Sequence, residues 1–202
     1  TLQYSLMSAR DLSIITTPPQ NRFPIESNIV LFKEEIITEA INFEIQRGGQ
    51  VFFIHNRIEN IQEVSALISR LVPNAEIAIA HGKVQGKKLE KTMLDFINGK
   101  FDVLISTTIV ESGLDVPNAN TIFINNAQNF GLSQLHQLRG RIGRSDKKAY
   151  AYFVIPKDKK LRDIASKRLK AIQTYADKGS GFNIASSDME IRGAGDILGA
   201  NQ

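Results

Sequence analysis

Val51-Phe52-Phe53-Ile54-His55-Asn56-Arg57 decides the fold: four large apolar side chains in a row, then an abrupt change to polar ones. An amphipathic strand would alternate, so an unbroken run implies a strand buried on both faces, as in a parallel sheet covered by helices. Val103-Leu104-Ile105 followed by Ser106-Thr107-Thr108 repeats the pattern. Working outward, helical periodicity covers Glu34–Gln46 and stops at Gly48-Gly49, and a second helix covers Asn60–Leu71 and stops before Pro73. Further short strands are predicted over 28–32, 76–80, 121–124 and 150–155, with a helix over 89–97. About six strands separated mostly by helices give an α/β, doubly wound, mainly parallel sheet with helices on both faces.

The flanks read differently. Pro18, Pro19 and Pro24 favour extended or turn geometry, so residues 1–25 form a lead-in. Past Pro156 the pattern becomes one long helix over 159–176, a Gly179/Gly181 hinge and the glycine-rich Arg192-Gly193-Ala194-Gly195. The predicted organisation is therefore 1–156 as the α/β domain and 157–202 as a helical hairpin or hook. Opening on Thr1 and stopping at Gln202, the chain is expected to be a fragment of a longer protein.

Composition bounds the class. With 42% hydrophobic and 23% charged residues the chain has globular proportions, and no apolar run approaches the roughly 20 residues of a membrane span. No membrane partner is expected. The absence of cysteine removes disulfides and thiolate metal sites, and with no signal-like start the expected location is cytoplasmic. A net charge of +4 leans toward a polyanionic partner, and basic residues crowd into 139–148 and 157–170.

Gln134-Leu135-His136-Gln137-Leu138-Arg139-Gly140-Arg141-Ile142-Gly143-Arg144 holds the densest chemistry, with three arginines in its last six residues. Read as one helix, Gln134, Gln137, Arg141 and Arg144 share a face. Guanidinium forks match phosphate oxygens and can neutralise charge developing in phosphoryl transfer. Gly140 and Gly143 each cost a helix roughly 1 kcal/mol relative to alanine, so they need a reason such as close approach of another backbone. The plain alternative is a solvated basic face. In Ser106–Pro117, hydroxyls and backbone amides can hold a nucleic-acid phosphate, Gly113 permits tight approach, and Asp115 can meet a ribose hydroxyl or orient an arginine. That segment is expected to form a second wall of the arginine cleft, beyond the carboxyl ends of the strands. Asn56-Arg57 and His81-Gly82-Lys83 each follow a strand and can contact a sugar-phosphate backbone, or be ordinary loop polarity with Asn56 capping the next helix. A phosphate loop of the Gly-x4-Gly-Lys-Ser/Thr type is not met, nor an acidic pair closing an apolar strand to hold magnesium. The parts that grip ATP are therefore expected on a missing partner lobe, with this lobe supplying arginines across a cleft.

These residues resemble the second RecA-like lobe of superfamily 2 helicases and translocases. Gln134–Arg144 looks like motif VI, Ser106–Pro117 like motif V, and Val51–Arg57 with His81-Gly82 like motifs IV and IVa. Arg10–Pro19, Arg168–Ile172, Gly181–Ala185, Asp188–Gly195 and Leu198–Gln202 are similar to the RecG-like subgroup, the last part resembling its "translocation in RecG" element. Within that subgroup Ser8–Asp11, Asn56-Arg57 and Gly179–Phe182 are more similar to the family of bacterial transcription-repair coupling factors than to RecG. The resemblance implies an ATP-driven double-stranded DNA translocase, with ATP and magnesium held mainly by the N-terminal RecA-like lobe. It implies RNA polymerase and excision-repair proteins as partners through other domains, and a chain inactive alone. Arg141 and Arg144 would face the γ-phosphate. Glu111, Gly113, Asp115 and Gln134 would serve the nucleotide, and Asn56, Arg57, His81, Gly82, Thr107 and Thr108 the DNA. Arg192 and Gln202 would couple hydrolysis to movement. A RecG-like branched-DNA helicase lobe and a non-hydrolytic nucleic-acid-binding module remain the alternatives.

Overall fold

The computed structural model describes residues 23–84, 86–107, 116–157 and 161–175, together with 184, 187, 188, 190 and 191. Within them lie six strands: β1 (Glu26–Leu31), β2 (Gln50–His55), β3 (Ile77–Ala80), β4 (Val103–Ser106), β5 (Ala119–Asn125) and β6 (Tyr150–Ile155). They form a single sheet in the order β1-β6-β5-β2-β4-β3, and every neighbouring pair is parallel. The described helices are α1 (Glu34–Gln46), α2 (Ile61–Leu71), α3 (Gly86–Ile97), α4 (Leu132–Arg139) and α5 (Asp163–Thr174), with a short 3-10 turn over Ala127–Asn129. None is long and apolar enough to cross a membrane.

The unbroken apolar strands do what their sequences imply. Successive side chains point to opposite faces, so Phe52, Ile54, Leu104, Ile122, Ile124 and Phe153 bury against Met93 and Phe96 of α3, Leu135 and Leu138 of α4, and Leu169 and Ile172 of α5. Val51, Phe53, Val103, Ile105, Phe123 and Val154 bury against Ile37 and Ile41 of α1 and Ile61 and Ile68 of α2. Each buried side chain of this size contributes roughly 2 kcal/mol, and together they fix which helix covers which face. Leu169, Ile172 and Ile184, beyond the expected boundary at 156, are buried in the same core as the sheet.

One member of the buried stripe of α1 is charged. Glu44 follows Ile37, Ala40 and Ile41 on that stripe and is fully buried. Its carboxylate accepts from Arg47 Nε at 3.1 Å and Nη2 at 2.5 Å, from Thr121 Oγ1 at 2.5 Å and from Asn120 Nδ2 at 3.3 Å. Four donors satisfy the charge, which makes the burial tolerable. Gly49 leaves the room for it, since a Cβ there would lie 1.7 Å from Glu44 Oε1.

The arginine segment corrects an expectation. Instead of running on to residue 144, α4 stops at Arg139, with Gly140 as its C-cap. Arg141 N–H then bonds Leu138 O at 3.1 Å and Ile142 N–H bonds Arg139 O at 3.4 Å, a tightened last turn. Gly143 has φ +71°, where a helix cannot continue and glycine is favoured. The close approach at Gly143 comes from side chains rather than another backbone: a Cβ would stand 3.1 Å from Ile25 Cγ1 and 3.2 Å from Ala149 Cβ. The helix expected over 159–176 is described as Asp163–Thr174. Thr108, Glu111, Gly113, Asp115, Arg192 and Gln202 lie outside the described residues, as do residues 1–22 of the lead-in and the hinge glycines.

Candidate functional site

Two polar regions lie at opposite ends of the sheet. Because α4 runs back along the strands, its end and the loop after it lie at the amino edge, beside the starts of β1, β5 and β6. Gly143 rests on Ile25 and Ala149, which immediately precede β1 and β6. Ser145 Oγ donates to Asn120 Oδ1 at 2.6 Å, and Lys147 Nζ donates to Arg47 O at 2.5 Å. These contacts staple the loop that carries Arg141 and Arg144, both half-buried. Arg144 Nη2 reaches back to Gly140 O at 3.5 Å.

Arg139 has a different place from its two neighbours. Only 3% exposed, it donates from Nη1 to Ile172 O near the end of α5 at 2.8 Å, and its Nη2 lies 3.2 Å from His136 Nδ1. It therefore joins α4 to α5 and is spent on structure. Burial, and then the adjacent Arg139 charge, push the His136 pKa below its ordinary value. At the other end of α4, Ser133 Oγ donates to Asp188 Oδ2 at 3.1 Å, so the segment after α5 also touches this helix. Gln134 is exposed in the first turn, its Oε1 accepting the Gly131 N–H at 3.1 Å. The eight residues of α4 span about 12 Å at 1.5 Å each. Gln134 and the arginine loop are thus at opposite ends of the helix.

At the carboxyl edge, His55, Asn125 and Asn60 form one network. Asn125 Nδ2 lies 3.0 Å from His55 Nδ1, and His55 Nε2 lies 2.8 Å from Asn60 Oδ1. Both ring nitrogens of His55 are thus engaged by side-chain amides. The network holds the turn from which the exposed Asn56 and Arg57 project. Asn60, not Asn56, occupies the N-cap of α2. On the neighbouring strands Thr107 N–H bonds Ala80 O at 3.3 Å, bringing Thr107 beside the start of the His81-Gly82 turn. His81 Nδ1 and Ser106 Oγ are buried and have no hydrogen-bond partner among the described residues. Exposed Arg57, Lys83, Lys87 and Lys88 lie on the segments that follow β2 and β3, which suits a polyanion.

The structure thus brings Asn56, Arg57, His81, Gly82 and Thr107 to one edge and Arg141 with Arg144 to the other. The Ser106 hydroxyl was expected among the phosphate-holding groups of Ser106–Pro117, whereas the pairing of His55 with Asn60 and Asn125 was not. A strand that ends in Ser106-Thr107-Thr108 carried the signal for Ser106, and the Asn60/Asn125 pairing of His55 needed the topology.

Comparison with known proteins identifies the family and the fold. The model of the helicase conserved C-terminal domain matches residues 32–146. The chain is 52% identical over all of its residues to the transcription-repair-coupling factor of Bacillus subtilis (strain 168), and 50% identical to that of Staphylococcus haemolyticus (strain JCSC1435). It spans 17% of the length of each. Among solved structures, RecG bound to a three-way DNA junction superposes with a TM-score of 0.75 at 34% identity, covering 89% of this chain and 24% of that one. A DEAD box protein from Methanococcus jannaschii superposes with a TM-score of 0.55 at 22% identity, covering 75% of this chain and 39% of that one, and shares the fold alone. The sheet and its helices are those of a RecA-like helicase C-terminal lobe.

Proposed function

Since this chain belongs to the family of helicase conserved C-terminal domains, we propose that it is the second motor lobe of an ATP-dependent double-stranded DNA translocase that displaces stalled RNA polymerase in transcription-coupled repair. One observation carries the reading: guanidinium groups lie at the amino edge of a rigid parallel sheet, and phosphate-suited groups lie at its carboxyl edge. A motor lobe needs both, one facing the nucleotide and one facing the track. The identity of 50 to 52% to coupling factors over the whole chain, against 34% to RecG, supports the repair assignment.

On this reading Arg141 and Arg144 reach across to a nucleotide whose magnesium is held mainly by the first lobe, and Arg144 acts as the finger. The donor set fits, because two half-buried guanidinium forks carried on a stapled loop match the geometry of phosphate oxygens. ATP supplies the phosphoanhydride. Glu111, Gly113 and Asp115, on the segment that runs from β4 to β5, are assigned to the nucleotide, as is the exposed amide of Gln134 at the other end of α4 from the arginines. Asn56, Arg57, His81, Gly82, Thr107 and Thr108 hold the DNA backbone without reading sequence. Arg192 and Gln202 couple the two, while polymerase and excision-repair proteins bind other parts of the full protein.

The test compares this chain alone with the same chain joined to its upstream lobe. Alone it should bind duplex weakly and turn over no ATP; joined, it should hydrolyse ATP with duplex stimulation and displace a stalled polymerase. Arg192→Ala in the joined protein should spare most hydrolysis and stop displacement. Unwinding of a three-way junction without displacement would favour a RecG-like lobe, for which the RecG superposition is the supporting observation. Strong ATP-independent DNA binding with no turnover in either form would leave a non-hydrolytic module.

A further inference from the structure

The carboxyl edge holds a second polar hollow, in the half of the sheet that the expected DNA set does not use. A cavity of about 610 Å³ opens between the 3-10 turn after β5 and the first turns of α5, with Gln128, Leu161, Arg162, Ile164, Ala165 and Arg168 in its lining. None of the described residues in its lining is acidic. Arg168 Nε and Gln128 Oε1 are both buried without a hydrogen-bond partner among the described residues. Guanidinium forks match phosphate oxygens, and the side chains of two arginines, Arg162 and Arg168, line this cavity. The Gln128 amide beside them bonds from Nε2 to Asn126 Oδ1 at 3.4 Å. Ile164, 41% exposed, makes an apolar wall with Leu161 and Ala165.

We propose that this cavity receives a backbone phosphate of duplex DNA, with Arg168 and Arg162 as donors and the apolar wall against the sugar. The assignment rests on the translocase reading above and extends its track. From β4, which precedes Thr107, to β6, which precedes α5, there are three strand spacings in the sheet order, about 14 Å at ~4.8 Å each.

The experiment is a salt titration of labelled-duplex binding by the full 202-residue chain, starting at low salt, for the unaltered protein, Arg162→Ala, Arg168→Gln and Arg168→Lys. Arg168→Gln should weaken binding roughly tenfold and lower the slope of log affinity against log salt by about 0.9. Arg162→Ala, at an exposed position, should lower the slope similarly without affecting folding, and Arg168→Lys should keep the slope. Unchanged affinity and slope in both Arg162→Ala and Arg168→Gln, while Arg57→Ala weakens binding, would overturn this site and leave the translocase reading standing. No salt-dependent duplex binding by the unaltered chain would overturn both. If millimolar inorganic phosphate protects the unaltered chain but not Arg168→Gln against heat, and duplex binding is the same in both, the cavity serves free phosphate and the DNA assignment fails.

Discussion

Gly143 shows how one residue sets the reach of two others. Its positive φ and the contacts a Cβ would make with Ile25 and Ala149 both resist substitution, while Arg144 follows it directly and Arg141 stands two residues before. Gly143→Ala should destabilise the chain by about 1–2 kcal/mol, read as a lower thermal midpoint, and should depress hydrolysis in the two-lobe protein further than the stability loss explains. An unchanged midpoint would mean that the loop relaxes freely. At this scale the sequence was legible in part. The two glycines in the arginine run signalled a special backbone, but periodicity continued across Gly140, so the end of the helix was not read. Glu44 was missed because a lone glutamate on an amphipathic helix usually faces water. Its phase with Ile37, Ala40 and Ile41, just before Gly48-Gly49, was the available signal.

At the scale of elements, α4 is tied down at both ends. Ser133 ties its start to Asp188, and Arg139 ties its end to Ile172. His136 lies between them with its pKa lowered from the usual 6.5 by burial and by Arg139. A histidine of this kind binds a proton more readily in the unfolded chain. Its contribution to stability is therefore complete above about pH 6.5 and drains away as pH falls from there toward the lowered folded value. The thermal midpoint should decline on acidification from about pH 7 to pH 5, and His136→Gln should flatten that decline. Equal slopes for both proteins would remove His136 as the titrating group. The strands themselves were legible because Val51–Ile54 and Val103–Ile105 can only be buried on both faces. What α4 touches was not, since Arg139 and Ile172 meet only once α4 and α5 pack on the same side of the sheet.

For the whole molecule, topology decides which residues can cooperate. A strand order of β1-β6-β5-β2-β4-β3 places the polar turns after β2, β3 and β4 side by side. The return of α4 carries the arginines to the other edge. Sequence alone suggested one cleft at the carboxyl ends, walled by the arginines and by Ser106–Pro117; most of the second wall lies outside the described residues, and the described arginine loop stands at the amino edge. Closing the lobe against a partner at one edge must therefore move whatever is gripped at the other. The central claim is that Arg144 completes a nucleotide pocket whose other half lies on the first lobe. Its most direct test is single-turnover ATP hydrolysis by the two-lobe protein with and without Arg144→Ala, alongside equilibrium ATP binding. The account predicts a loss of about 10³-fold or more in the chemical step with ATP affinity nearly unchanged, since a finger acts on the transition state. A chemical step as fast as in the unaltered protein would contradict it.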